Sequence, residues 1–179
     1  MKNKTLCLCF LIALMSVFSC RRSYHTQQPS DTEDVIGLQK EAMMQFNQQL
    51  VEEEFEEIKN FVEQRNWNMT TTETGLWIEI YSKGEGEKAV KGKIVALKYS
   101  LSLLDGAVCY DSSSHGLKTF RLGYEDVESG LTEGVLLMSA GDKARMILPP
   151  HLAHGIAGDG DCIPQRAIIV YDVELVNNE

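Results

Sequence analysis

The stretch KARMILPPHLAHGIAGDGDCIPQRAIIVYDVELV, residues 143–176, holds two apolar runs separated by a loop of distinctive composition. Three of the four prolines in the chain, Pro149, Pro150 and Pro164, lie at the two ends of this loop. Proline fixes φ and has no N–H, so the Pro-Pro pair ends the first run and stiffens the exit from it. The segment GIAGDG supplies three glycines, which leave the backbone few steric limits. The composition predicts two strands joined by a loop with stiff ends.

Alternation of apolar and polar residues predicts further strands on the N-terminal side of this stretch. Every second residue of LWIEIY, residues 76–81, is aliphatic, and the segment KIVALKYSLSLL, residues 93–104, continues the alternation. Further strands are predicted at residues 119–122, 143–148 and 167–176. The chain from residue 75 onward therefore reads as mostly β.

One turn and one helix are predicted among these strands. Asp105 and Gly106 mark a turn after the second strand. Val127, Leu131 and Val135 lie four residues apart, which predicts a short helix between residues 127 and 138. The sequence thus predicts an antiparallel sheet packed on one short helix.

A long helix is predicted before the sheet, from residue 31 to about residue 64. Met44, Val51, Phe55, Ile58 and Val62 recur at helical spacing. The run EEEFEE on the other positions is typical of a solvated helix face. The apolar stripe must be buried, either on the following domain or against a second copy of the helix, and the spacing does not decide between them.

The first nineteen residues predict a signal peptide. Lys2 and Lys4 form a basic start, and residues 5–18 form a mainly apolar run that is shorter than a stable membrane-spanning helix requires. The sequence VFSC then places Cys20 after a small residue, which resembles the lipobox of bacterial lipoproteins. The resemblance implies that Cys20 is acylated; the alternative is ordinary cleavage near Ser19 with Cys20 unmodified. Residues 20–30 have little apolar content and are predicted to form a flexible tether.

The charge of the chain limits the kinds of partner that it can bind, and its cysteine content limits the disulfides that it can form. The chain has 17 basic and 26 acidic residues and a formal net charge of −9, which argues against a nucleic-acid partner. Of its five cysteines, Cys7 and Cys9 lie in the predicted signal peptide and Cys20 at its end. Cys109 and Cys162 therefore remain as thiols in an exported, oxidising setting, and together they allow one bridge.

Motifs of the common catalytic classes are missing from the sequence. It contains no GxSxG, HExxH, Walker or CxxC motif. His151 and His154 lie three apart without a third ligand nearby, so no metal site is predicted there. The DGD of residues 159–161 lacks the flanking oxygen ligands of a calcium loop and is predicted to be a turn. No cofactor is predicted.

Three segments, in order and at familiar spacing, carry a family resemblance. YSLSLLDGAVCYDSS (99–113), GLTEGVLLMSAGDKARMILPPHLAHG (130–155) and IPQRAIIVYDVELV (163–176) resemble the FKBP-type peptidyl-prolyl isomerases. The resemblance implies an α+β fold, an FKBP-like antiparallel, strongly twisted β-sheet wrapped on one short helix and preceded by a long N-terminal helix. The preceding helix looks like the N-terminal extension of exported bacterial members. The implied organisation is a signal peptide (1–19), a tether (20–30), a helical extension (31–74) and an isomerase domain (75–179).

The resemblance also explains the loop with stiff ends, which in this family overhangs a shallow apolar pocket for a substrate proline. Rotation about an X-Pro bond has a barrier of about 18–20 kcal/mol. A site that desolvates the amide, holds the ring and accepts the twisted geometry lowers that barrier without an acid, a base or a metal. The implied ligands are proline-containing segments of exported proteins and macrolides. The implied location is the bacterial cell envelope, in the periplasm or at the outer membrane.

Five positions match the family pattern of the pocket. The resemblance makes Tyr99 the pocket tyrosine, Asp111 the carboxylate that faces the pocket, Val127 the apolar wall at the helix entrance, Ile163 a loop residue that closes the top, and Tyr171 a wall aromatic that is more often Phe. Plain alternatives exist for three of them. Tyr99 and Tyr171 also fit ordinary core positions, and Asp111 also fits a turn cap ahead of two serines.

Four further positions depart from the pattern. Leu131 stands where the family has the tryptophan of the pocket floor, and His154 stands for a loop tyrosine. Glu128 follows Val127 at a position that is commonly Ile and that offers its backbone N–H to the substrate carbonyl. Because one extra residue precedes Asp111, Tyr110 takes the place of the usual phenylalanine there. These nine residues are predicted to line one shallow pocket.

The resemblance places Cys109 and Cys162 on opposite sides of the pocket mouth, which leads to the hypothesis that they form a disulfide. The predicted activity is isomerisation of X-Pro bonds. One rival is a catalytically weak chaperone or peptide-binding module on the same fold. A third interpretation makes the N-terminal helix the working part and the FKBP-like domain a scaffold for homodimerisation.

Overall fold

The computed structural model describes residues 30–178, and the side chains of residues 35–177. The chain divides into two compact units, Met1–Gln45 and Phe46–Glu179. The predicted signal peptide, Cys20 and the tether up to residue 29 lie outside the described residues. Among the residues that are described, none of the helices has the length and apolar content needed to cross a bilayer.

The predicted long helix is confirmed as α1, Ser30–Arg65. In the first unit its apolar side chains, such as Ile36 and Met44, are exposed. In the second unit Ile58 and Val62 are buried and pack on Trp77. Within the second unit, the sheet therefore covers the apolar stripe at Ile58 and Val62.

The sheet has seven strands, and the strand pairings are antiparallel. The strands are β1 (Thr70–Thr71), β2 (Trp77–Ser82), β3 (Ile94–Leu103), β4 (Val108–Asp111), β5 (Lys118–Arg121), β6 (Lys143–Leu148) and β7 (Ile169–Asn178). Their order is β1-β2-β6-β7-β3-β4, and β5 also pairs with β3. The sheet and its accompanying helices confirm the predicted fold class.

Successive side chains of each strand lie on opposite faces of the sheet. They form two buried clusters, one on each face. On β6, Met146 belongs to the larger cluster and Ile147 to the smaller one. On β7, Tyr171 belongs to the larger cluster and Val170 to the smaller one. The larger cluster packs against a short helix, α3 (Ser129–Leu136), and we call this side the α3 face. The smaller cluster packs against the C-terminal part of α1, and we call this side the α1 face.

Two glycines bring α3 close to β6. A Cβ atom at Gly130 would lie 2.7 Å from Leu148 Cγ, and one at Gly134 would overlap Met146. Because glycine has no Cβ, the helix backbone approaches the strand directly. Leu131 and Val135, whose spacing predicted this helix, belong to it and are fully buried.

The segment that joins β6 to β7 begins as predicted. The Pro-Pro pair follows the last residue of β6, and a 3-10 helix, Pro150–Leu152, comes next. The predicted turn at Asp105 and Gly106 is also present, with Gly106 at φ 91°. Four elements were not predicted: β1, β4, a four-residue helix α2, Ser112–His115, and the 3-10 helix itself.

Candidate functional site

An open cavity of about 490 Å³ lies at the entrance to α3. Three elements supply its walls: the start of β5, the residues before and at the start of α3, and the loop after the 3-10 helix. The lining residues are Lys118, Asp126, Val127, Glu128, Ser129, Ala153 and His154. We call this cavity the α3 pocket.

Glu128 is the central polar residue of the α3 pocket. It immediately precedes α3, yet its side chain caps none of the described helix N–H groups. Its carboxylate instead accepts a hydrogen bond from the Tyr171 hydroxyl at 2.8 Å and lies 3.2 Å from the Lys118 ammonium. His154 Nε2 lies 3.2 Å from the same carboxylate. With only 6% of its side chain exposed, Glu128 is a buried anion held by residues from three other segments.

The ionisation of this cluster follows from its contacts. Burial alone would raise the pKa of Glu128, but the Lys118 ammonium, the residue's own backbone N–H and the Tyr171 hydroxyl together hold that pKa below its ordinary value. Burial and the neighbouring Glu128 charge raise the pKa of Tyr171. Glu128 is therefore the charged acceptor of the cluster and Tyr171 a neutral donor.

Tyr171 and Tyr99 are neighbours on adjacent strands. Tyr171 on β7 is fully buried, and its ring centroid lies 6.1 Å from that of the half-buried Tyr99 on β3. Burial, together with the charges of Asp111 and Glu128, raises the pKa of Tyr99. Tyr99 does not line the α3 pocket and borders a separate depression of about 260 Å³.

Tyr110 and the loop before β7 form a second group. The Tyr110 hydroxyl donates to Asp159 at 2.5 Å, and this bond is the main reason that the pKa of Tyr110 rises to about 12. The hypothesis of a disulfide is confirmed: Cys109 and Cys162 are bonded, with their Cα atoms 5.5 Å apart. A covalent bond and a hydrogen bond thus attach β4 to the loop.

Asp111 is engaged in local structure. It is the N-cap of α2, and its Oδ1 accepts hydrogen bonds from Ser113 N at 2.7 Å and Ser114 N at 2.9 Å. The Ser113 hydroxyl also donates to it and is the main cause of a lowered pKa for Asp111. The alternative of a turn cap therefore describes one role of this carboxylate, and Asp111 is not among the residues lining the α3 pocket.

The structure places the nine predicted residues in different surroundings, and they do not all line the α3 pocket. Val127, Glu128 and His154 line the α3 pocket, and Tyr171 reaches it through its hydroxyl. Leu131 is not an exposed floor, because it is fully buried in the core, and Ile163 is 98% buried rather than a cover over the pocket. Both belong to the larger cluster, since their segments pack inward on the sheet.

Four residues that line the α3 pocket were not predicted from the sequence: Lys118, Asp126, Ser129 and Ala153. Lys118 is the charged residue among them that contacts Glu128. It is the first residue of β5, two positions before the buried Phe120. Alternation in a strand puts both side chains on the same face. The position of Lys118 two residues before a core phenylalanine could therefore have indicated that its side chain lies on the inner face of the strand. The predicted strand began at residue 119 and did not include Lys118.

The two neighbouring histidines have separate partners. His151 Nε2 lies 2.8 Å from the Thr74 carbonyl, whereas His154 contacts Glu128. In the predicted turn at residues 159–161, Asp159 Oδ1 accepts the N–H groups of Asp161 and Ile163. Within the described part of the chain, no group of three or more His, Cys, Asp or Glu side chains is placed to hold a metal ion.

Comparisons with known proteins extend this description. Residues 85–176 match the family model described as FKBP-type peptidyl-prolyl cis-trans isomerase. The chain is 42% identical over 108 residues to a probable FKBP-type peptidyl-prolyl cis-trans isomerase FkpA of Neisseria meningitidis serogroup B, a match covering 59% of this chain and 39% of the relative. The chain thus spans well under two thirds of that relative.

Solved structures are also similar. The crystal structure of AtFKBP13 matches with a TM-score of 0.59 and 28% identity, over 63% of this chain and 99% of the other. The crystal structure of FkpA from Escherichia coli matches with a TM-score of 0.63 and 24% identity, over 100% of this chain and 83% of the other. The second match extends the similarity of fold to the N-terminal helix.

Proposed function

We propose, from the premise that this chain belongs to the FKBP-type peptidyl-prolyl cis-trans isomerase family, that it catalyses rotation about X-Pro bonds in other proteins. The family match over residues 85–176 carries the proposal. The domain that would do this work is the predicted isomerase domain, residues 75–179. The proposed substrates are proline-containing segments of exported proteins.

The α3 pocket offers what such a reaction requires. Val127 and Ala153 supply apolar wall, and the pocket stands open to a peptide at the entrance to α3. Rotation of the amide needs no proton transfer, so the pocket acts by removing water from the bond and fitting its twisted form. The proposed site consists of Val127, Glu128, His154 and Tyr171, with Tyr99, Tyr110 and Asp111 on the adjoining strands; Leu131 and Ile163 support it from the core.

The test is refolding of a protein whose folding is limited by a trans-to-cis proline step, which without a catalyst takes tens to hundreds of seconds. The full chain should accelerate this step. Val127→Asp should lose the acceleration, because it places a charge on the apolar wall. Val90→Asp, at an exposed valine that does not line the pocket, should retain it. Refolding at the uncatalysed rate with the full chain would overturn the proposal.

A catalytically weak peptide-binding module is the second candidate. The ion pair between Lys118 and Glu128 favours it, because charged groups in the pocket oppose the burial of a proline ring. Peptide binding with no change in the refolding rate would decide for this candidate. The same peptide titration with a macrolide competitor tests the proposed macrolide ligand.

Export and anchoring are further proposals. The basic and apolar residues 1–19 and the position of Cys20 support an exported chain that is held at a membrane of the cell envelope by acyl groups on Cys20. Mass spectrometry of the membrane fraction should find a mature chain that begins with modified Cys20. An unmodified chain that begins elsewhere would contradict the proposal.

Homodimerisation through α1 is also proposed. Its support is the exposure of large apolar side chains in the described part of the first unit, among them Val35, Ile36, Leu38, Met43 and Met44. Sedimentation should give a dimer for the full chain and a monomer for Met44→Glu. A monomeric wild-type chain at micromolar concentration would rule the dimer out.

A further inference from the structure

Lys118 brings a positive charge into the wall of the α3 pocket. Its ammonium lies 3.2 Å from the Glu128 carboxylate and 3.3 Å from the Tyr171 hydroxyl. The Tyr171 hydroxyl donates its own proton to Glu128 at 2.8 Å, which leaves the hydroxyl oxygen as an acceptor for Lys118. The three groups form a closed triangle that holds the ammonium at the wall of the cavity.

The positive and negative groups of this cluster differ in how far they are exposed to the cavity. The side chains of Lys118 and His154 are 27% and 28% exposed, whereas the side chain of Glu128 is only 6% exposed. Both exposed side chains line the cavity and lie 3.2 Å from the Glu128 carboxylate. A ligand in the cavity therefore meets the Lys118 ammonium more readily than the Glu128 carboxylate.

The Lys118 ammonium can bind a further acceptor. It carries three N–H groups, and its acceptors in the described part of the chain are one carboxylate and one hydroxyl. A single N–H can be shared between two acceptor atoms, so one donor remains for a ligand. A carboxylate is the best partner for that donor, because charge strengthens the hydrogen bond. A ligand cation finds no such place, since the Glu128 oxygens are already bonded to Tyr171 and Lys118.

Two sources of negative charge oppose the binding of an acidic ligand. Asp126 also lines the cavity, and the chain has a formal net charge of −9. Asp126 is exposed, so water and salt weaken its field, and charges more than about 8–10 Å away are largely screened at physiological ionic strength. Lys118 is partly buried and acts at contact distance, so its attraction is the larger effect at the cavity wall.

We propose that Lys118 is a specificity-determining residue that makes the α3 pocket prefer proline segments with an acidic residue beside the proline. Its ammonium donates a charged hydrogen bond to the carboxylate of that residue. Glu128 and Tyr171 are positioning residues that hold the ammonium at the wall of the cavity. The proposal rests on the proposed function for the nature of the ligand, a proline-containing peptide, and adds the charge of the residue next to the proline.

The experiment measures the dissociation constants of three fluorescent, blocked peptides for the full chain in mild detergent. The peptides are Ala-Glu-Pro-Glu-Ala, Ala-Gln-Pro-Gln-Ala and Ala-Lys-Pro-Lys-Ala. Glutamine has the size of glutamate without its charge, so the first two peptides isolate the effect of charge. We expect the Glu peptide to bind about fivefold more tightly than the Gln peptide, as one partly exposed ion pair allows, and the Lys peptide to bind most weakly. Equal or reversed affinities, or no binding of any peptide, would overturn the proposal.

Two variants should change this preference in opposite directions. Lys118→Met/Glu128→Gln removes both charges and keeps a side-chain oxygen for the Tyr171 hydroxyl, so the Glu and Gln peptides should bind equally well. Glu128→Gln alone leaves the ammonium without its anion, so the preference for the Glu peptide should exceed that of wild type. A preference that survives in the double variant, or that does not rise in Glu128→Gln, would overturn the proposal. If the double variant does not fold, the result for Glu128→Gln decides.

Lys93→Met is the matched control for the loss of one positive charge. Lys93 is exposed and does not line the α3 pocket, so this variant has the net charge of a Lys118 variant without a change in the cavity. Its preference for the Glu peptide should equal that of wild type. A preference that disappears in Lys93→Met would show that the overall charge of the chain causes it, and would overturn the role of Lys118.

Turnover is measured on the same samples by exchange between the cis and trans NMR signals of the peptides. A preference that depends on Lys118, without catalysed exchange in any sample, would support the role of Lys118 and overturn the isomerase function. Catalysed exchange in the wild-type chain with equal affinities for the Glu and Gln peptides would support the isomerase function and overturn the role of Lys118.

Discussion

The two faces of the sheet each carry an ion pair at 3.2 Å, and the pairs are organised in opposite ways. On the α1 face the cation is the shared group: the Arg145 guanidinium contacts Glu79 and lies over the rings of Trp67 and Tyr81, 4.8 and 4.4 Å from their centroids. On the α3 face the anion is the shared group, because Glu128 receives donors from Lys118, Tyr171 and His154.

The difference lies in what surrounds each pair. Arg145 packs among aromatic side chains, so its contacts stabilise the attachment of the helix–strand connection to the sheet. Glu128 borders an open cavity, so its carboxylate and the groups bonded to it line space that is open to solvent. The two ion pairs therefore have the same separation in different surroundings, one among aromatic side chains and the other beside an open cavity.

The largest effect is expected from removing the disulfide, which should destabilise the protein through the α3 side and leave the packing on the α1 face unchanged. The Cys109–Cys162 bond closes a loop of 53 residues on the α3 side, which in the chain-entropy treatment is worth about 4 kcal/mol. Cys109→Ala/Cys162→Ala should lower the free energy of unfolding by about that amount. Both tryptophans of the chain lie in the smaller cluster, so native tryptophan fluorescence should remain unchanged below the unfolding transition. A loss under about 1 kcal/mol in urea unfolding would show that the bond constrains little.

The next largest effect is expected from a substitution that weakens packing on the α1 face. It should lower the free energy of unfolding and leave the α3 pocket unchanged. Ile58 is 1% exposed, so Ile58→Ala should cost about 3 kcal/mol of unfolding free energy through lost burial and a residual cavity. Val51→Ala on the same helix is the control, because Val51 is 53% exposed and should cost under about 0.5 kcal/mol. Peptide affinity should be the same in both variants at 25 °C. A change of affinity in Ile58→Ala would mean that the two faces are coupled.

The smallest effect is an acid dependence of stability that belongs to the α3 face. Folding lowers the pKa of Glu128, so the stability that this carboxylate contributes is complete above its unfolded pKa of about 4.3 and is lost as the pH falls through the lower folded value. In urea unfolding below pH 5, wild type should lose more stability than Glu128→Gln. Parallel curves for the two proteins would contradict the assignment of the carboxylate as the charged centre.

Alternation was sufficient to predict most of the sheet, because residues on each strand separate cleanly into two buried faces. Met146 and Ile147 are adjacent in sequence and enter different clusters, so a run that looks uniformly apolar belongs to a strand covered on both sides. The strands that were not predicted are β1, which contains only two residues, and β4, whose sequence VCYD does not alternate between apolar and polar residues.

The pocket was harder to predict because its polar contacts are long-range. The resemblance directed attention to Glu128, His154 and Tyr171 one at a time, but not to their contacts with one another. Lys118 and Glu128 are ten residues apart, and Tyr171 follows 43 residues after Glu128, so only the folded sheet brings them together. Leu131 differs from them, because the position that the resemblance makes the pocket floor is fully buried in the larger cluster.

The most direct test of the account is a pH titration of the Glu128 side-chain carboxyl carbon by NMR in the wild-type chain. Burial alone would raise the pKa of Glu128, but the Lys118 ammonium and the Tyr171 hydroxyl stabilise its charged form, so the account predicts a midpoint below the ordinary Glu value of about 4.3. A midpoint at or above that ordinary value would contradict the claim that Glu128 is the charged centre of the α3 pocket.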